Sequence, residues 1–170
     1  MAAGSYSTRL LRTAGIRLPV IPVKGYSLTF DRAHNPSSLR VPIVDDQPHA
    51  VLVPLNGALR AAGTAEFTQF NATLDPARVN NLLRLVSMVL PDEIFEPTAA
   101  RPWCGFRAMS SDGVPIIGPT PLPNQWINTG HGHLGWTMAA GSGALLADRI
   151  GGQAPAIDPK PYQLQRFAAR

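Results

Sequence analysis

The clearest periodic stretch of the chain lies between 76 and 90, where Val79, Leu82, Leu83, Val86, Val89 and Leu90 recur at helical spacing. Apolar residues three and four apart share one face of a helix, so the pattern predicts an amphipathic helix with a single apolar stripe. Asp75 stands where a capping side chain is wanted, Pro76 suits the first turn and Pro91 closes the helix. One face of a sheet is the natural cover for such a stripe. The pattern ahead of it is that of strands. Residues 19–30 read as a strand entered through Pro19 and Pro22, interrupted at Lys24-Gly25, where a bulge or a close backbone approach is expected. Ile43-Val44, 50–55 and 58–67 read as antiparallel strands. Asn56-Gly57 between the last two is a two-residue hairpin signal, because both residues accept positive φ. The polar stretch 31–40, with Asn35-Pro36-Ser37-Ser38, reads as a surface loop.

The flanking segments are shorter and richer in glycine. Residues 1–7 predict a small-residue turn leading into a short amphipathic helix, with Leu10, Leu11 and Ala14 on one side and Ser5 or Ser7 as its cap. From Trp103 the pattern predicts a strand over 103–109, a turn at Ser111-Asp112-Gly113, and short strands at 114–117 and 125–128. A glycine-rich loop, Gly130-His131-Gly132-His133-Leu134-Gly135, then feeds a helix over 136–150 that ends at Gly151-Gly152. The tail, with Pro155, Pro159 and Pro161, wraps over the surface. No internal repeat is visible.

Composition refines this picture. In 170 residues, 17 prolines and 15 glycines predict frequent turns and short strands and exclude a helical bundle. The net charge of +4 is spread along the chain without a basic run, which excludes a nucleic-acid arm and leaves a solvated surface with some attraction for anions or anionic lipid. A single cysteine, Cys104, permits neither an internal disulfide nor a cysteine-based zinc site, and suits a reducing compartment. The N-terminus lacks the order of a signal peptide, and a cytoplasmic chain is expected.

Candidate chemistry concentrates in the last third. Glycines let a backbone come close to a ligand, and the free N–H groups of a helix start favour negative charge, so Gly132 to Thr137 can face a phosphate or another electron-rich group. Tight turning alone also accounts for the glycines. His131 and His133 lack a third ligand and a following glutamate, which argues against a metal site and for a polar contact or a structural role. Arg107 stands in an apolar strand and needs an anionic partner, either a ligand carboxylate or an acidic side chain of the chain. Tyr26 is a core tyrosine or a pocket hydroxyl, and Cys104 a small core residue.

Several segments in order resemble the C-terminal half of the D-amino acid oxidase-like flavoproteins, and most of all the bacterial D-amino acid dehydrogenase type. They are 3–7, 22–27 (Pro-Val-Lys-Gly-Tyr-Ser), 63–67 (Gly-Thr-Ala-Glu-Phe), 105–120 (starting Gly105-Phe106-Arg107-Ala108-Met109) and 128–138 (starting Asn128-Thr129-Gly130-His131-Gly132). The resemblance implies an α+β fold: a mostly antiparallel substrate-domain sheet with a packed helix, plus the C-terminal portion of a Rossmann-like FAD-binding domain whose N-terminal βαβ unit is missing. It implies FAD-binding parts at 1–18 and 105–152, a substrate domain at 19–104 and a tail at 153–170.

The chemistry so implied is FAD-dependent oxidation of a D-amino acid to a 2-oxo acid and ammonia. Arg107 would hold the substrate carboxylate and Tyr26 would be a pocket residue. Gly130, His131, Gly132, His133, Leu134, Gly135, Trp136 and Thr137 would approach the cofactor. A separate N-terminal FAD-binding chain would complete the site, and a membrane quinone would take the electrons through peripheral contact with the inner membrane. The rival expectations are a glycine or sarcosine oxidase of the same family, and a non-catalytic fragment. Ala108 and Ser111 stand where the family commonly has proline.

Overall fold

A computed structural model describes residues 1–31, 39–46, 50–90 and 97–168 of the chain. Most of the loop expected at 31–40, and Pro91, lie outside the described residues. The chain divides into two compact units, one of Met1–Val23 with Phe106–Arg170 and one of Lys24–Gly105. The long strands β1 (Val20–Asp31) and β5 (Arg101–Ser110) each pass from one unit into the other.

In the Lys24–Gly105 unit, β2 (Ile43–Asp45), β3 (Ala50–Leu55), β4 (Ala58–Glu66) and β1 form an antiparallel sheet in the order β2-β3-β4-β1. The β3–β4 turn has Asn56 at φ 47° and Gly57 at φ 77°, the double positive φ that the Asn-Gly pair favours. Helix α2 (Pro76–Val89) packs on β3 and β4. Asp75 caps it by accepting the Ala77 N–H at 2.8 Å, with Pro76 at its first turn. Leu82, Leu85 and Val86 meet Tyr26, Leu28, Phe30, Leu52, Leu59 and Ala61 in one buried cluster. Leu85, one position off the predicted stripe, is buried as fully as Leu82.

The irregularity expected at Lys24-Gly25 is present, but the extra residue sits across the ladder. Lys24 pairs with Glu66 and Tyr26 with Gly63, so Thr64 and Ala65 of β4 oppose Gly25 alone. Thr64 takes φ 67°, a strained conformation for a β-branched residue. At this bulge Lys24 Nζ lies 3.0 Å from Glu66 Oε2 and donates to the Thr73 carbonyl at 2.9 Å.

In the other unit, β6 (Ile116–Pro119) and β7 (Trp126–Thr129) form an antiparallel pair, and α3 (Gly135–Ile150) packs on both. The end of β5 pairs with a two-residue strand, β8 (His131–Gly132). Leu11, Ile16, Leu18, Val20, Ile116 and Ile127 form the core, closed by Ala108, Leu164 and Phe167. The first helix, α1 (Ser7–Arg12), is shorter than the sequence pattern suggests. Only Leu11 of its expected apolar side is buried, because Ala14 falls beyond the helix end and Leu10 is turned outward. Neither serine caps it. Tyr6 occupies the cap position, and Ser7 Oγ instead accepts the Ala3 N–H at 3.1 Å.

The tail is fastened rather than draped. Arg166 donates to Asp112 from Nε at 2.7 Å and from Nη2 at 3.0 Å, and to the carbonyls of Val114 and Pro115. This guanidinium holds the Asp112 carboxyl down at about 2. The folded value lies below the unfolded one, so the bridge adds stability above the ordinary carboxylate pKa and loses it as pH falls towards about 2. Asp112→Asn should therefore destabilise the protein by about 1 kcal/mol at neutral pH, the carboxylate being partly exposed and screened. In urea or thermal unfolding followed against pH, the gap from wild type should narrow below about pH 4 and close as the pH falls to about 2. A gap that persists in acid would refute the ionic origin.

Candidate active site

The site is built where β8 is laid along the end of β5. Ala108 pairs with Gly132 and Met109 with His131, so the glycine loop is hydrogen-bonded beside the strand that carries Arg107. Two glycines make this possible. Gly130 turns the chain at φ 82°, and a Cβ there would stand 3.3 Å from the Ser110 Cβ. Gly132 has φ 60°, and a Cβ there would meet the Met109 sulfur at 2.8 Å. The Leu134 N–H then returns to the His131 carbonyl at 3.2 Å, and α3 starts at Gly135 without a side-chain cap.

These elements enclose an open cavity of about 400 Å³ within the one unit. Arg107, Asn128, His131, His133 and Trp136 are among its lining side chains, and Gly130, Gly132 and Gly135 are part of its backbone wall. Arg107 is half-buried, and burial lowers its pKa. The group is still a cation at neutral pH. Burial also pushes the His131 pKa down, so its imidazole is neutral at pH 7. His131 Nε2 and Asn128 Oδ1 are buried with no hydrogen-bond partner among the described residues. Unpaired buried polar atoms are costly and rare, which marks both as atoms that a ligand satisfies.

The structure thus brings Arg107 together with Gly130, His131, Gly132, His133, Gly135 and Trp136. Leu134 and Thr137 are not part of the lining: Leu134 occupies the helix cap position, and Thr137 lies exposed in the first turn. Tyr26 belongs to the other unit, where its hydroxyl donates to Glu66 Oε2 at 2.7 Å. Among the described residues, no three His, Cys, Asp or Glu side chains are grouped to hold a metal ion. Asn128 was not singled out by the sequence reading. Its signal was the alternation in β7, where Ile127 and Thr129 are buried and the polar Asn128 falls on the opposite face, two residues before the glycine loop.

The donor set fits a flat heteroaromatic ring that carries acceptors and donors along one edge and takes up negative charge. An amide, a neutral imidazole and an uncapped helix start line the cavity, and its glycine wall has no Cβ to hold such a ring off. The cation on β5 suits a carboxylate. By NMR, His131 should titrate below 6.5, because burial disfavours its imidazolium form. A value at or above 6.5 would mean that the imidazole is open to water or already paired with an anion.

The profile described as "FAD dependent oxidoreductase" matches residues 1–149. The D-amino acid dehydrogenase of Xanthobacter autotrophicus is 45% identical over 169 residues, which is 98% of this chain and 39% of that protein. The D-amino acid dehydrogenase of Paramagnetospirillum magneticum is 41% identical, over 99% of this chain and 40% of that protein. The chain therefore spans about 40% of the length of these two relatives. Glycine oxidase from Geobacillus kaustophilus shares the fold, with a TM-score of 0.83 and 24% identity over 98% of this chain and 44% of that one. The antiparallel pairings and the three helices among the described residues agree with the α+β expectation.

Proposed function

The chain belongs to the FAD dependent oxidoreductase family, and from that premise we propose that it supplies the carboxylate site and the flavin-ring contacts of a D-amino acid dehydrogenase. The observation that carries this reading is the shared lining: a half-buried guanidinium on β5 faces the same cavity as two unsatisfied buried polar atoms, Asn128 Oδ1 on β7 and His131 Nε2 in the glycine loop. The identity to D-amino acid dehydrogenases over nearly the whole chain supports the substrate class.

FAD, held by Asn128, His131 and the glycine loop, would supply the two-electron acceptor for oxidation of the amino acid to an imino acid, which water hydrolyses to a 2-oxo acid and ammonia. The chain supplies position and charge. Arg107 pairs with the substrate carboxylate and orients Cα, its planar fork giving two parallel hydrogen bonds. Asn128 and the neutral His131 take up polar atoms on the ring edge. The backbone N–H groups at the start of α3 stabilise negative charge that grows there, without having to reorganise. In this reading a polypeptide bearing a dinucleotide-binding glycine loop completes the cofactor site. A membrane quinone takes the electrons, and the net charge of +4 favours contact with anionic lipid.

The test is dye-coupled oxidation of D-alanine by the full chain, completed with the part of the Xanthobacter relative outside the matched region. Arg107→Ala should lower kcat/KM roughly 10²-fold, mostly through KM, in line with the ~3 kcal/mol that a charge-assisted pair contributes. Arg107→Lys should retain part of the activity. An unchanged KM would remove Arg107 from the carboxylate site. Faster turnover of glycine or sarcosine with oxygen would replace the substrate class.

A further inference from the structure

The sheet of the Lys24–Gly105 unit turns one face to α2. Leu59 and Ala61 of β4, with Tyr26 and Leu28 of β1, point into the core on that side. The residues between them, Arg60 and Ser27, therefore lie on the opposite face. Arg60 is half-buried, and its cross-strand neighbours, Thr29 on β1 and Val53 on β3, are uncharged. Its Nη2 donates to the Ser27 hydroxyl at 2.9 Å. Its guanidinium carbon stands 5.8 Å from the centre of the Trp103 ring. The Trp103 indole is folded across Gly105, where an added Cβ would collide with its ring. Ser27 is 3% exposed and Trp103 58%. The guanidinium is thus anchored on a dry hydroxyl and set beside aromatic surface that is open to water.

Lys24 and Arg166 each meet a carboxylate, that of Glu66 and that of Asp112. Arg60 meets a hydroxyl and a ring instead, which fix its position and leave its charge uncompensated. Among the described residues no carboxylate is in ion-pair contact with it. A held cation without an anion is half of a recognition site. We propose that Arg60 and Trp103 bind a small organic carboxylate, at a site that shares no residue with the cavity of the other unit. The planar fork takes the carboxylate through parallel hydrogen bonds, and the indole takes the apolar part of the same molecule. Free phosphate is disfavoured, because it uses the fork and leaves the indole wet. A nucleic acid strand is disfavoured, because it needs cations along a groove and the neighbours at 29 and 53 carry none. The proposal does not depend on the catalytic reading.

The experiment titrates the full chain with phenylacetate in an Arg107→Ala background, so that no carboxylate is held on β5. The Arg60 Nε–H and Trp103 indole N–H signals are followed by NMR. Both are expected to shift along one saturation curve. Arg60→Gln should weaken binding roughly tenfold or more, read on the indole signal. Gly105→Ala, which displaces the indole, should weaken it about threefold, read on the Arg60 signal. Ser27→Ala removes only the anchor of the guanidinium and serves where Arg60→Gln does not fold; a loss of about threefold is expected. Absence of any shift of the two signals at about 50 mM phenylacetate overturns the proposal. So does unchanged binding in Arg60→Gln, or in Ser27→Ala where that variant stands in for it. Inorganic phosphate that binds as tightly as phenylacetate overturns the choice of ligand. Failure of D-alanine oxidation in the completed enzyme bears on the catalytic reading alone.

Discussion

Everything chemical in this chain depends on two backbone pairings, Ala108 with Gly132 and Met109 with His131. They hold the glycine loop against the strand that bears Arg107, and so decide that a cation and a helix start share one cavity. The pairing is short, which makes it sensitive. A side chain at 132 would need a left-handed backbone and would press on the Met109 sulfur. The glycines are therefore required twice, once to let β8 lie beside β5 and once to leave the ligand side without Cβ atoms.

The two units treat buried charge in opposite ways. In the Lys24–Gly105 unit the Lys24 ammonium is met by Glu66 and the Thr73 carbonyl, while Glu66 also accepts from Tyr26. The Tyr26 hydroxyl, and after it the Lys24–Glu66 pairing itself, raise the Lys24 pKa and lower that of Glu66. Such a closed cluster pins a bulged strand and the loop after it, and asks nothing of a ligand. The cavity of the other unit retains two buried atoms without partners and a helix start without a cap. Thr68 Oγ1 and Ser110 Oγ are also buried without a partner, so it is the convergence of two such atoms with a cation and a helix start on one cavity, and not an unpaired atom alone, that marks the site.

What the sequence made legible follows the range of the interactions. Local signals were clear. Asp75-Pro76 with its periodic leucines named α2, Asn56-Gly57 named the hairpin, and the glycine run named the start of α3. Long-range choices were not. The bulge was expected around Gly25, but the surplus residue belongs to β4, which no pattern within β1 can reveal. β8 has only two residues, one of them glycine, and exists because β5 offers a free edge, so no propensity predicts it. Tyr26 finds its partner 40 residues away and Arg166 finds Asp112 at a separation of 54, both decided by the fold alone. Arg107 and most of the loop, singled out by residue type, line one cavity, while Asn128 showed itself only once β7 had faces.

Helix α3 joins these threads, because its two ends answer to different demands. At its start, the absence of a capping side chain leaves backbone N–H groups free to serve the cavity. A capping serine or aspartate at 134 would stabilise the helix and compete with a negatively charged ligand for the same donors. Along its length, alanine and glycine replace the charged residues that would make the exposed side soluble. Both choices weaken the helix as an isolated element, and the first is intelligible if the start serves a ligand. Trp136, nearly fully exposed in the first turn, also lines that cavity, so a ligand seated there would cover aromatic surface that the chain alone leaves to water.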